Sequence, residues 1–176
     1  MPDRKRLLFI GDSLVEFFDW QQRFPGHEVI SLGVAGETVE GLHARLDHII
    51  GSEIRPDMVF IMTGINNAAM EDYGFVATYE KVVARLKKSY PAAEVFINSL
   101  LPVRLPWFAD VTIPRLNKRL RQVAAENGIE YLDIHRLFSE CENLLLLEDG
   151  IHLNTEGYRV WSRAVADLLN RSAPDS

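Results

Sequence analysis

The chain has 176 residues, 47% of them hydrophobic and 25% charged, with a formal net charge of −6. That length suits one domain over residues 1–176 with a sizeable core, and the composition excludes a disordered chain. The acidic balance argues against a nucleic-acid partner, because phosphate binding needs a basic stripe; the strongest basic cluster, Arg115, Lys118, Arg119 and Arg121, falls in a helical pattern and reads as a solvated face.

The first predicted element, Leu7-Leu8-Phe9-Ile10, is an unbroken apolar run that stops at Gly11-Asp12-Ser13. A strand buried on both faces has this pattern. Leu14 to Trp20 is aromatic-rich and suits one or two helical turns. Val29 to Leu32 predicts a second strand, ending in Gly33-Val34-Ala35-Gly36-Glu37. Thr38 can cap a helix with Leu42, Leu46, Ile49 and Ile50 inward. A third strand, Met58 to Met62, ends at Thr63-Gly64-Ile65-Asn66-Asn67.

The next helix places Phe75, Tyr79, Val82, Val83, Leu86 and Tyr90 on one face, and Pro91 stops it. Glu94 to Asn98 is a fourth strand, followed by an apolar, proline-punctuated loop from Leu101 to Ile113. Pro114 suits the first turn of a helix that carries Leu116, Leu120, Val123 and Ala124 inward and stops at Asn127-Gly128. Ile129 to Ile134 reads as a fifth strand. After a less regular stretch comes Asp149-Gly150-Ile151-His152, and Asn154 or Thr155 caps a last helix with Tyr158, Trp161, Val165, Leu168 and Leu169 inward. The tail from Arg171 is expected to fray.

Strands alternating with helices predict an α/β protein, a parallel sheet with helices on both faces. A flavodoxin-like strand order, 2-1-3-4-5, is the expected arrangement. Cys141 is the only cysteine, so no intrachain disulfide forms, which fits a reducing compartment. The apolar run after Arg4-Lys5-Arg6 is short for a secretory signal, and no stretch approaches the length of a membrane span. A cytoplasmic protein is expected.

Three polar, glycine-rich stretches fall at the carboxyl ends of the first three strands, where open α/β sheets bind ligands. Their chemical types complement one another. The Ser13 hydroxyl is a weak nucleophile that needs an adjacent base. His152 can be that base, since imidazole unperturbed titrates at about 6.5. Asp149, three residues earlier, can orient the ring and steady the imidazolium. The Ser13 N–H, the Gly36 N–H and the Asn66 amide can supply donors to an oxyanion.

Taken singly, each feature has a plainer reading. Gly11-Asp12-Ser13 can be a turn, and so can Gly33 and Gly36, which for Gly33 is the preferred reading. Asn66 can satisfy loop backbone, and Asp149 with His152 can be a surface pair at a helix start. The four groups in order carry more weight than any one.

Gly11-Asp12-Ser13-Leu14, the Gly36 turn, Gly64-Ile65-Asn66 and Asp149-Gly150-Ile151-His152 occur in the order of the four blocks of the SGNH/GDSL hydrolases. The chain resembles that family from Leu7 to Trp161. The resemblance implies a flavodoxin-like α/β/α fold and serine esterase, lipase or acylhydrolase activity that uses no metal or other cofactor. Matched by motif, it implies Ser13, Asp149 and His152 as the catalytic triad and Ser13, Gly36 and Asn66 as the oxyanion hole. The oxyanion role goes to Gly36 because Val34-Ala35-Gly36-Glu37-Thr38 is similar to the family's small-Gly-Asp-Thr turn.

Two positions depart from the pattern. Asn67 stands where the third block commonly has Asp, and Ser31 stands where an asparagine is frequent. The Asn-Asn variant and Gly-Asp-Ser-Leu-Val resemble the acetylhydrolase subunits that act on platelet-activating factor, which implies a short acyl group. Phe17 or Phe18, with Trp107 and Phe108 of the long loop, are candidates to line the substrate pocket; ordinary packing of the loop is the alternative.

Other histidines read as structural: His135 as a loop or helix-start residue, His43 and His48 on a helix, His27 in a turn. Cys141 has no activating context. A metal-dependent phosphoesterase would draw on Asp12, Asn66, Asp149 and His152 as ligands, but neither Gly-Asn-His nor His-Glu-x-x-His occurs. A non-catalytic module binding an anion at Gly11–Ser13 is a third possibility. The natural ester and the oligomeric state are not written in these motifs.

Overall fold

A computed structural model describes residues 4–142 and 144–171. Five strands form one parallel sheet in the order β2-β1-β3-β4-β5. They are β1 (Arg6–Gly11), β2 (Glu28–Gly33), β3 (Met58–Met62), β4 (Glu94–Asn98) and β5 (Glu130–Leu132). This is the flavodoxin-like α/β arrangement expected from the alternation. β1 and β3 lie at the centre, and Leu7 to Ile10 and Met58 to Met62 are buried throughout. Their continuous apolar character follows from having helices on both faces.

The crossovers β2→β3, β3→β4 and β4→β5 all run in one direction along the sheet, so right-handed connections put their helices on one side. These are α3 (Val39–Gly51), α5 (Val76–Ser89) and α6 (Thr112–Asn127), with α5 packed between the other two. The opposite side carries α1 (Ser13–Glu16), α2 (Trp20–Arg23) and α8 (Thr155–Arg171). Phe9, Phe60 and Phe96 are register partners on β1, β3 and β4, and their rings stack at 4.8 and 4.9 Å. Trp20 stacks on Phe9 at 4.1 Å, and Trp161 of α8 meets Trp20 edge-on. This aromatic block seats α2 and α8 on the sheet below the site.

Local chemistry ends the elements where expected. Thr38 accepts from the Gly41 N–H at the start of α3, Pro91 follows α5, and Gly128 caps α6. Asn154, rather than Thr155, caps α8, accepting from the Gly157 N–H at 2.9 Å. Pro114 is in the first turn of α6, which begins at Thr112. Ile50 is only half-buried.

The fifth strand is shorter than its apolar run. Asp133 accepts from the Arg136 N–H and so starts a helix, α7 (Ile134–Ser139), which takes Ile134 out of the strand. Residues 14–20 do not form one segment, because Asp19 opens a second cap and divides them into α1 and α2. A further short helix, α4 (Ile65–Ala69), follows β3. The expected fraying beyond Arg171 falls on residues outside those described.

Candidate active site

Ser13 is the first residue of α1, directly beyond the carboxyl end of β1. Asp12 creates that start: its Oδ1 accepts from the Leu14 N–H at 3.0 Å while its own carbonyl accepts from Val15 and Glu16. Gly33 lets the helix come close. A Cβ there would lie 2.3 Å from the Glu16 nitrogen and 2.8 Å from the Asp12 carbonyl oxygen. Gly33 ends β2 and serves as a floor for α1, a role different from the turn glycine expected.

Ser13 Oγ lies 3.0 Å from His152 Nε2, and His152 Nδ1 lies 2.6 Å from Asp149 Oδ2. Asp149 Oδ1 also accepts from the Ile151 and His152 N–H groups, each at 2.9 Å. These donors, the Ile151 N–H and the histidine ring foremost, hold the Asp149 carboxyl down at about 2 although the side chain is half-exposed. The loop is pinned by bonds from the Leu147 N–H to the His152 carbonyl and from the Arg104 N–H to the Gly150 carbonyl.

Gly36 sits in the exposed turn after β2 with φ +76°, a left-handed conformation that disfavours a side chain. The turn is braced on three sides. Glu16 Oε2 accepts from the Ala35 N–H at 2.5 Å, Arg45 binds both oxygens of Glu37, and Asn66 Nδ2 donates to the Glu37 carbonyl at 2.9 Å. Among the described residues the N–H groups of Ser13 and Gly36 have no acceptor, and Asn66 keeps one amide hydrogen unused. Three donors at the strand ends therefore remain available.

Asn67 is 1% exposed and uses its whole amide. Oδ1 accepts from the Val39 N–H, and Nδ2 donates to Glu40 and Asp72. A carboxylate here would face two others. The network leaves no local mark in the sequence, because Glu40 lies 27 residues from Asn67 and Asp72 reaches it only through the loop after α4. Ser31 is exposed on β2, paired with Phe9, and supports no loop.

Asp12 is fully buried, and its Oδ2 has no partner. Burial, with a smaller push from the Glu37 charge, raises its carboxyl to about 7. No group of three His, Cys, Asp or Glu side chains placed to hold a metal occurs among the described residues. Asp133 and His135 do not form a second dyad: Asp133 caps α7 and pairs with Arg121, and the His135 N–H donates to Ser99 Oγ.

Of the candidate pocket residues, Phe17 stands beside the site, its ring centroid 5.4 Å from that of His152 and its side chain 57% exposed. Phe18 instead is half-buried and stacks on Tyr158, packed against the core. Trp107 projects into solvent, and Phe108 lines a cleft of about 140 Å³ with Pro102, Val103, Ile113 and His135.

A serine, histidine and aspartate in one hydrogen-bonded line, at the carboxyl edge of a parallel sheet and with donors nearby, define the class of serine hydrolases. The comparisons with known proteins narrow this. The pattern of the GDSL-like Lipase/Acylhydrolase family matches residues 9–160. The chain belongs to that family of ester-cleaving hydrolases.

It is similar to the platelet-activating factor acetylhydrolase IB subunit alpha1 of Bos taurus, 26% identical over 174 residues that cover 94% of this chain and 75% of the relative. It is also similar to the alpha2 subunit of Rattus norvegicus, 25% identical over 182 residues covering 93% and 75%. Among solved structures, a GDSL-like lipase from Bacteroides thetaiotaomicron superposes with a TM-score of 0.77 at 22% identity, covering 96% of this chain and 89% of the other. An acetyl xylan esterase from Geobacillus stearothermophilus gives 0.75 at 20% identity, covering 98% and 97%. These two likenesses establish the fold.

Proposed function

We propose that the protein hydrolyses carboxylic esters of short acyl groups through an acyl intermediate on Ser13. The hydrogen-bonded line from Ser13 Oγ through His152 to Asp149 carries this reading. His152 Nε2 takes the serine proton as Oγ attacks the ester carbonyl. The imidazolium, steadied by Asp149, returns that proton to the departing alcohol oxygen. Water deprotonated by His152 then releases the acid and restores Ser13. The Ser13 N–H, the Gly36 N–H and the free Asn66 amide hydrogen hold the oxyanion, each worth about 3 to 4 kcal/mol of barrier.

The short acyl group is supported by the acetylhydrolase relatives and by the resemblance of Asn66-Asn67 to the third block of such subunits. The rim supports an apolar alcohol half. Phe17, Val34, Met70 and Trp107 are large, exposed and apolar and follow the carboxyl ends of β1, β2, β3 and β4, while Leu144 and Leu147, also exposed, lie on the loop between α7 and α8 that carries Asp149 and His152. Aliphatic side chains such as Val34 and Leu147 favour an amphipathic ester over a sugar.

We further read residues 1–176 as one functional domain, on the single sheet shared by every described strand, and a small-molecule ester as its partner. The lone Cys141 supports a cytoplasmic site of action. No helix of the described residues is long and apolar enough to cross a membrane.

Ser13→Ala, folded by circular dichroism, should lose nearly all p-nitrophenyl acetate turnover, and an organophosphate should label Ser13 in the parent protein. Turnover retained by the variant overturns the assignment.

A further inference from the structure

Adjacent residues of α4 reach the oxyanion turn by separate bonds. Asn66 Nδ2 donates to the Glu37 carbonyl, and Asn67 Oδ1 accepts from the Val39 N–H, both at 2.9 Å. The two bonds land two residues apart on the segment that leads from Gly36 into α3. Together they set the spacing between the Gly36 N–H and the Asn66 amide.

The Asn67 half of this clamp is buried, and its donor hydrogens point at two carboxylates. Nδ2 lies 2.7 Å from Glu40 Oε2 and 2.8 Å from Asp72 Oδ2. One end of that bridge is the first turn of α3. The other is the loop after α4, where the Asp72 N–H also returns to the Asn67 carbonyl. A side-chain amide offers an acceptor oxygen and two donor hydrogens, and all three are used here. A carboxylate only accepts when ionised. It would keep the Val39 bond and repel both acids.

We propose that Asn67 is a positioning residue for the oxyanion hole, and that Glu40 and Asp72 make an amide obligatory there. Asn67 touches no reacting atom and acts through Asn66 and the Gly36 turn. The proposal rests on reading those two as oxyanion donors. Shifting a donor by about 1 Å can cost about a hundredfold in rate.

The test compares kcat and KM for p-nitrophenyl acetate across a variant set. Asn67→Asp should lower kcat by about tenfold to a hundredfold while KM changes by less than about twofold. Adding Glu40→Gln and Asp72→Asn keeps the Val39 bond and lets both neighbouring side chains donate to the new carboxylate, and this triple variant should regain kcat to within about threefold of the parent. In an Asn66→Ala background, itself slowed about a hundredfold or more, Asn67→Asp should change kcat by less than about threefold.

Should Asn67→Asp fail to fold, the triple variant and Asn67→Ala carry the same comparison, with kcat lost in the second and regained in the first. Parent-like kcat in Asn67→Asp, or a folded triple variant without recovery, overturns the clamp. Parent-like kcat in Asn66→Ala removes the oxyanion reading, and the clamp with it. A slow Asn66→Ala beside a fast Asn67→Asp removes the clamp alone.

Discussion

The Tyr158 hydroxyl donates to the Leu14 carbonyl at 3.1 Å, joining the helix that follows His152 to the helix that begins at Ser13. Both residues are buried, and the Phe18 ring stacks on Tyr158 at 4.5 Å. Tyr158→Phe keeps the stack and leaves the carbonyl unpaired, a loss of about 1 kcal/mol. The melting temperature should fall by about 2–4 °C. Because the bond ties the Ser13 helix to the segment that follows His152, kcat should also fall, by less than about tenfold. An unchanged kcat would show that the other contacts of α1 suffice to hold Ser13.

The Asp149 carboxyl, held at about 2 chiefly by the Ile151 N–H and the His152 ring, stays ionised throughout the working range of an esterase. Its folded pKa is below its unfolded value, so its contribution to stability is present above that unfolded value and is lost as pH falls through about 2. Asp149 should therefore contribute no ionisation to the kcat/KM profile between about pH 4 and 9. An Asp149 carboxyl signal that titrates in that range, followed by NMR, would contradict this assignment. Asp149→Asn should lower kcat by at least about a hundredfold, since the imidazolium then lacks its counter-charge.

Asp12 has the opposite sign. Burial raises its carboxyl to about 7, above its unfolded value, so the folded state binds the extra proton. That stabilisation is complete below the unfolded value and is lost as pH rises through about 7. Asp12→Asn retains an acceptor for the Leu14 N–H and cannot ionise. Its melting temperature relative to the parent should rise between pH 5 and pH 8, by an amount equivalent to a few kcal/mol at most. A difference that stays constant with pH would mean that Asp12 does not titrate in this range.

Gly33→Ala places a methyl 2.3 Å from the Glu16 nitrogen. Backbone cannot yield as a side-chain tip does, so α1 must shift, at a cost of about 1–3 kcal/mol. Because Ser13 rides on that helix, both the melting temperature and kcat should drop. A fall in stability with kcat intact would show that the shift is absorbed away from the serine.

Phe17→Ala removes an exposed ring beside His152 and should leave stability within about 0.5 kcal/mol of the parent. KM should rise for esters with apolar alcohol halves and remain steady for methyl esters. Trp107→Ala, measured on the same panel, reports whether the long loop shares that contact. An identical KM profile for Phe17→Ala and parent would take Phe17 out of the substrate pocket.

The strands and the long helices were legible because their signals are local: unbroken apolar runs at β1 and β3, a threonine cap before α3, a proline after α5. The Ser13, Asn66 and His152 segments were legible because parallel strands deliver their carboxyl ends to one edge. Gly33 was misread because the need for glycine comes from α1 approaching β2, a tertiary distance with no local mark. The end of β5 was misread because Asp133 caps a helix inside an apolar run. The burial of Asp12 and the approach of Glu40 to Asn67 depend on neighbours remote in the chain.

Asp149 and His152 settle most of their own geometry. One carboxylate binds the imidazole and two N–H groups within the same four residues, so the tilt of the ring and the charge beside it are set inside a single short loop. The fold has only to deliver this preassembled cassette within reach of one hydroxyl. Chain length between α7 and Leu144 can then vary without turning the ring, provided that the Leu147 N–H still meets the His152 carbonyl and the Arg104 N–H the Gly150 carbonyl.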